Sequence, residues 1–217
     1  MIKFLAMKQN YKTKSLIVIL CLCINSVFAQ TFKDIFDPKT TITYLGIDYT
    51  HVKVFGHQSG EVSDLVNRQF YAINQLVLNE PKKYNLPKAL HKTEVPSELS
   101  FVNEKNKIIV DTAITSTDLA NVFHLNKTAI ENIVKGYNFS GKTGIGFLII
   151  MESLNKKDER ASLYCTFVDM ATSKVIYTER FTEKPGGFGL RNYWAKPIYE
   201  GLDDIADKKY KEWERNQ

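Results

Sequence analysis

The residues available for chemistry are four histidines, His51, His57, His91 and His124, and one cysteine beyond the first 29 residues, Cys165. A serine or cysteine nucleophile needs a base in reach, and its sharpest sequence marker is a G-x-S-x-G elbow that holds the nucleophile on a strained strand-to-helix turn. No such elbow occurs. Zinc hydrolysis wants two histidines one helical turn apart with a glutamate between them, so that both imidazoles reach one metal. His51 and His57 are six residues apart, and the run His57-Gln58-Ser59-Gly60-Glu61 holds no second histidine. The histidines therefore read as surface or partly buried side chains. No catalytic residue, metal ligand set or cofactor is expected. Cys165 lies in the apolar alternation Leu163, Cys165, Phe167 and reads as a small buried hydrophobe.

Anion binding has one candidate. Glycines placed after a strand and before a helix let backbone N–H groups converge on a phosphate. Gly144 and Gly146 precede a strand, which is the wrong context. Pro185-Gly186-Gly187-Phe188-Gly189 lies between an extended run and a helical one with Arg191 close by, but no lysine–serine pair completes a P-loop. Its first reading is a turn that lets Trp194 dock. The same stretch carries Phe188, Arg191, Tyr193 and Trp194, types enriched at interface hot spots. These four are the candidate partner-binding residues.

The elements that must position them follow from periodicity. Ile42 to Phe55 is rich in β-branched and aromatic residues and predicts a first strand. Val62, Leu65, Val66, Phe70, Ile73 and Val77 then recur every three or four residues, which predicts an amphipathic helix with Ser59 as its cap. Pro81 and Pro87 bracket an irregular stretch in which Leu86 to Leu90 forms a short helical turn. Leu99 to Val102 and Ile108 to Val110 are two extended candidates around a polar turn. Helical period returns from Thr117 through Tyr137, with Asn126 capping its second piece.

Ile145 to Met151 is an apolar run of strand length and predicts a central strand covered on both faces. Ala161 to Asp169 and Lys174 to Thr182 follow after short turns, which makes three consecutive strands an antiparallel meander. Leu190, Trp194, Ile198, Leu202, Ile205 and Tyr210 mark a last helix towards Trp213. Pro197 predicts a kink in it or a start near that residue. The fold class is α/β (α+β): a mixed sheet, with the three-strand meander towards the C-terminus, packed against amphipathic helices.

This order resembles the amino-terminal domain of the translocation protein TolB, curli-secretion lipoproteins and activators of penicillin-binding proteins. The match is carried by Gly146 to Glu152, Leu163 to Val168, and the turn Asp169-Met170-Ala171-Thr172-Ser173-Lys174-Val175 leading into Ile176 to Phe181. That superfamily has Thr-Gly in the turn, where this chain has Thr172-Ser173. The chain also resembles secreted proteins of Bacteroidota. The resemblance implies an envelope protein that binds or assembles, and it transfers no catalytic residue.

Lys3, Lys8, Lys12 and Lys14 precede an uncharged run from Leu16 to Ile24, and Val27-Phe28-Ala29 supplies a peptidase site, so residues 1–29 read as a cleaved signal peptide. The run is short of the ~20 residues that span a bilayer, and no stable span is expected after cleavage. Cys21 and Cys23 follow leucines rather than the small residues of a lipoprotein signal. Residues 30–41 read as a leader segment and 42–217 as one α/β domain. The chain's 29 basic and 24 acidic residues include four lysines and no acid in the signal, leaving 25 against 24. That near-neutral balance argues against a nucleic-acid partner. One remaining cysteine permits no intramolecular disulfide, so a hydrophobic core must hold the fold.

The reading that follows is a secreted or periplasmic binding or assembly protein of the cell envelope, with a possible envelope protein as partner. A secreted hydrolase with a dispersed active site is the alternative, and a small-ligand carrier lined by tyrosine and phenylalanine is a third. Asn126-Lys127-Thr128 and Asn138-Phe139-Ser140 match glycosylation sequons, and Asp111-Thr112-Ala113 resembles a short O-glycosylation signal. Intact-mass measurement of the exported protein should give a chain beginning at Gln30, with any glycan read as excess mass.

Overall fold

A computed structural model describes residues 29–216. The signal segment predicted over residues 1–29 falls outside the described residues except for Ala29. The leader's Phe32–Ile35 forms a 3-10 turn whose ring Phe32 lies 4.8 Å from Tyr177, while Phe36 meets Tyr210 edge-on. Regular structure thus begins ahead of Ile42, because these two aromatics have a surface to dock on.

Strand β1 spans Ile42–Asp48 and β2 spans Lys53–Phe55, where one strand was expected. The break is made by Asp48, whose Oδ1 accepts hydrogen bonds from the N–H (2.7 Å) and hydroxyl (2.6 Å) of Thr50. Such a side-chain-closed turn competes with the ladder. A helical stretch follows as α1 (Ser59–Asp64), a π-helical turn (Leu65–Gln69) and α2 (Phe70–Asn79). Its N-cap is Gln58 rather than Ser59, with the Gln58 N–H donating to Glu61 Oε2 at 3.1 Å.

Then come α3 (Leu86–Ala89), α4 (Ser100–Asn106), α5 (Asp111–Ile114), a 3-10 turn (Leu119–Phe123) and α6 (Lys127–Lys135). The extended candidate at Leu99 to Val102 is therefore corrected to the start of a helix, and Ile108 to Val110 forms no strand. Leu99, Val102 and Asn106 share one face at helical spacing, and that face lies on β1. Asn126 caps α6 as expected, its Oδ1 accepting from Ala129 N–H at 2.9 Å.

Strands β3 (Ile145–Asn155), β4 (Arg160–Asp169) and β5 (Lys174–Glu183) form the antiparallel meander. The last helical stretch joins α7 (Gly189–Asp204), a π-helical turn (Ile205–Lys209) and α8 (Tyr210–Arg215). The sheet is five-stranded and mixed, ordered β1-β3-β4-β5, with β1 and β2 both parallel to β3 at successive positions along it. β3 is buried throughout, as expected of a central strand.

The outer edge of β1 is closed by side chains. Asn74, fully buried on α2, accepts from Ile47 N–H at 2.7 Å and donates to Ile47 C=O at 3.0 Å. Asn106 donates to the same carbonyl and accepts from Tyr49 N–H, each at 2.9 Å. Farther back, Tyr44 exchanges backbone hydrogen bonds with Pro96 and Glu98. Two amides thereby do what a further strand would do, since buried backbone groups must be paired. They require a close approach. Gly46 (φ +99°) sits at a bulge where an added Cβ would lie 2.6 Å from Val102 and 2.9 Å from Asn74 Oδ1. Replacing Asn74 with Leu keeps the branched side-chain shape but strands the Ile47 N–H in the core. The urea midpoint should fall by an equivalent of about 2–3 kcal/mol with an unchanged slope.

Candidate functional site

The four predicted partner-binding residues do not share one environment. Phe188 is 96% exposed and Arg191 is exposed, Tyr193 is half-buried, and Trp194 is fully buried. Trp194 therefore belongs to the core: its ring meets Tyr193 edge-on at 4.9 Å and lies 5.5 Å from the His57 ring. A large aromatic in the second turn of α7 gains more from burial there than from water. The surface part of the prediction reduces to Phe188 and Arg191.

What holds Phe188 outward is the local backbone. Pro197 lies inside α7 rather than at its start, and it has no N–H for the carbonyl of Tyr193, four residues back. Gly186 N–H takes that carbonyl at 3.1 Å and folds the loop onto the helix. Gly187 (φ +103°) and Gly189 (φ +79°) adopt backbone conformations that L side chains rarely adopt, on either side of an ordinary extended Phe188. Asn192 Nδ2 then donates to the Phe188 carbonyl at 3.2 Å. The ring is presented at the mouth of a cleft of about 540 Å³. Leu190 and Arg191 form one wall, and Asp64, Arg68 and Ala72 the other.

Charge in the cleft is uneven. Arg68 is paired with Asp64 at 2.8 Å, and Gln69 Nε2 donates to the same carboxylate at 2.9 Å. Those bonds, Arg68 first, hold the Asp64 carboxyl below its usual value. Arg191 has only a 3.3 Å bond to Asn192 Oδ1 and no ion pair among the described residues. The cleft is left with one free guanidinium beside the N-terminus of a 16-residue helix. It favours an acidic group on whatever covers Phe188.

Behind the loop stands a carboxylate–imidazole pair. Glu61 Oε2 faces His57 Nδ1 at 3.1 Å, and Lys156 Nζ donates to Glu61 Oε1 at 2.7 Å. The Lys156 bond leads the causes that lower the Glu61 pKa, while burial lowers that of His57 against the pull of Glu61. The far nitrogen, His57 Nε2, is buried and has no hydrogen-bond partner among the described residues. With the His57 ring 5.5 Å from that of Trp194, the pair stands between the start of α1 and α7. His51 is exposed, and His91 stacks on Tyr210 at 3.9 Å. Burial raises the Cys165 thiol well above its ordinary value. That fits a packing role.

No family model and no curated protein matches the chain. Among solved structures it is similar to the lipoprotein GNA1162 of Neisseria meningitidis, at 10% identity over 78% of this chain and 98% of that one, with a TM-score of 0.32.

At the base of the loop Glu183 is half-buried near Asp204 and Glu200 of α7, and burial first, then these two carboxylates, pushes its carboxyl up to about 7. A carboxyl raised above its unfolded value of 4.5 favours the fold below that value and loses the benefit as the pH rises through 7. Glu183→Gln should therefore stabilise the protein at about pH 8.5. After discounting for solvent screening the gain is about 1 kcal/mol. Thermal melts of the two proteins should converge below about pH 4.5.

Proposed function

We propose that the mature chain is an exported binding protein of the cell envelope, and that it engages a protein partner through Phe188 and Arg191. The observation that carries this reading is the near-complete exposure of Phe188, fixed between two left-handed glycines at the mouth of a cleft. An aromatic of this size left in water is informative where single exposed aliphatics are not. The loop backbone is held by the Gly186–Tyr193 and Asn192–Phe188 hydrogen bonds, which reduces the loop ordering that binding would cost. The partner's matching surface is an apolar pocket for the ring with an acidic residue beside it for Arg191.

The compartment is supported by the lysine-rich start, the apolar run and the small-residue site ending at Ala29. Among the described residues no helix is long and apolar enough to cross a membrane. The likeness of the 146–181 region to TolB-type envelope proteins points the same way. Residues 42–217 act as one unit in this reading, with 30–41 laid against it.

In-cell cross-linking of the tagged protein, followed by capture and mass spectrometry, should recover an envelope protein reproducibly. Alanine at both Phe188 and Arg191 should reduce that recovery at least tenfold, the loss of one hot-spot pair at about 2 kcal/mol. Melting temperature should stay unchanged, because neither side chain is packed in the core. A fall in stability that tracks the loss of capture would assign the segment to packing and sink the partner reading.

A further inference from the structure

A second cavity, of about 330 Å³, opens where the chain leaves β1 and enters β2. Its walls are aliphatic: Ile108, Ile109, Val110 and Ile114 come from the segment around α5, opposite Val52. Ile108 and Val110 are 78% and 57% exposed, so the apolar lining continues out of the mouth into water. Singly exposed aliphatics are ordinary, but two flanking one cavity form an unpartnered apolar rim.

The polar end is cationic. Lys53 reaches into the lining, and its Nζ makes one hydrogen bond, to the Ala113 carbonyl at 2.9 Å. It joins no ion pair among the described residues, and an ammonium has two further donors to give. His51 and His124 also line the cavity. Both ring nitrogens of His124 point at backbone carbonyls, Asn121 C=O at 2.8 Å and His51 C=O at 3.0 Å; a neutral ring donates to one of them, and neither nitrogen is turned to a ligand, so this imidazole serves as wall. Among the described residues no carboxylate lines the cavity. Two acids stand close to the lining in sequence: Asp48 is buried, with its oxygens held by Thr50 and by the Tyr137 hydroxyl at 2.6 Å, and Asp111, next to Val110, accepts from Thr112 N–H at 2.7 Å. Asp48 acts on His51 at the wall, and neither acid forms an ion pair with Lys53.

We infer that this cavity binds a small amphiphilic carboxylate, its head group on Lys53 and its alkyl chain along Ile109 and Val110. The apolar walls call for a hydrocarbon, and the uncompensated ammonium calls for one negative charge. A single lysine suits a monoanion. A phosphate head group would call for the arginine forks or converging N–H groups that this cavity lacks. Size limits the ligand: at the ~30 Å³ that one molecule occupies in liquid water, the cavity holds about ten non-hydrogen atoms. Octanoate has that number. The inference is independent of the Phe188 surface, since the two sites share no lining residue.

Calorimetric titration of the purified protein with octanoate, octanol and octylammonium tests this. Octanoate should bind saturably below about 1 mM, and about tenfold more tightly than octanol, the value of one charge-assisted hydrogen bond. Octylammonium should bind weakest. Lys53→Met should erase the preference of octanoate over octanol while leaving octanol affinity within about twofold. Ala113→Phe, which fills the cavity from an exposed position, should abolish binding of all three with the melting temperature retained. Equal affinity for the three probes, or octanoate binding unaffected by both substitutions, would overturn the assignment. So would an absence of saturable binding to the folded protein.

Discussion

A carboxylate buried in the middle of a sheet has to be neutralised where it stands, and in this fold that requirement organises one whole face. Glu152 is fully buried at the irregularity in the β3–β4 register, where one extra residue is inserted. Its oxygens accept from Arg180 Nε at 2.9 Å, Ser162 Oγ at 2.6 Å and the N–H of Leu125 at 2.7 Å. Arg180 in turn donates to the Leu125 carbonyl at 2.6 Å, and the Tyr164 hydroxyl donates to it at 2.9 Å. Both backbone groups of Leu125 are thus clamped between three strands. Its neighbours follow: His124 reaches back to His51, Asn126 caps α6, and the Arg180 guanidinium sits between the rings of Phe123 and Tyr164 at 5.3 and 5.0 Å. Removing either charge would leave the other uncompensated, which costs more than the pair contributes. The network thereby selects one placement of residues 119–126.

The opposite face is apolar and follows ordinary packing. Tyr44, Phe147, Phe167 and Trp213 form a run of ring contacts across the sheet, and α7 packs on both α2 and β5. Here the sequence was legible, because burial leaves a period of two in strands and 3.6 in helices. Both strands after β3, their turns, the amphipathic helices and the Asn126 cap stand where periodicity put them. The misreadings share one cause. Strand β1 stops at Asp48, and Leu99 to Asn106 coils, because side chains bond to backbone there, and apolar patterning carries no record of such bonds. Asn74 and Glu152 did leave a trace, as polar residues at positions where the apolar period is otherwise unbroken.

The site was legible in type but not in placement. Four interface-prone residues within seven positions marked the right segment, yet they start a helix, and a helix turns successive residues through about 100° each. Trp194 is buried, while Arg191, three residues earlier on a neighbouring row of the same helix, stays exposed in its first turn, so burial there is set by what packs on each turn and not by the helical period. The arrangement of the loop depended on a relation between distant residues: Pro197 frees a carbonyl, and Gly186, eleven positions earlier, supplies the N–H that takes it. A proline that costs a helix one hydrogen bond here anchors the loop that displays Phe188. Nothing in the local pattern at either residue announces the other.

Strand direction relates the two proposed binding surfaces. β1 and β2 run parallel to β3, and β5, antiparallel to β4, shares their direction. The chain leaves β1 through Thr50 and rejoins the same edge of β3 as β2, and it leaves β5 through the Phe188 loop, so the aliphatic cavity lies beside a break in the sheet edge and the Phe188 surface beyond a strand's carboxyl end. At both places the connecting segment is free to vary without disturbing the ladder. The Phe188 loop is followed by the first turn of α7, which has no side-chain cap and no acid and so lends that end a partial positive character. Arg191 adds to it, and neither Arg191 nor Lys53 is matched by an acid among the described residues. A rigid sheet held by Glu152 on one face and by aromatics on the other thus carries both proposed surfaces, each of which sets an exposed apolar side chain beside a cation that has no ion pair among the described residues.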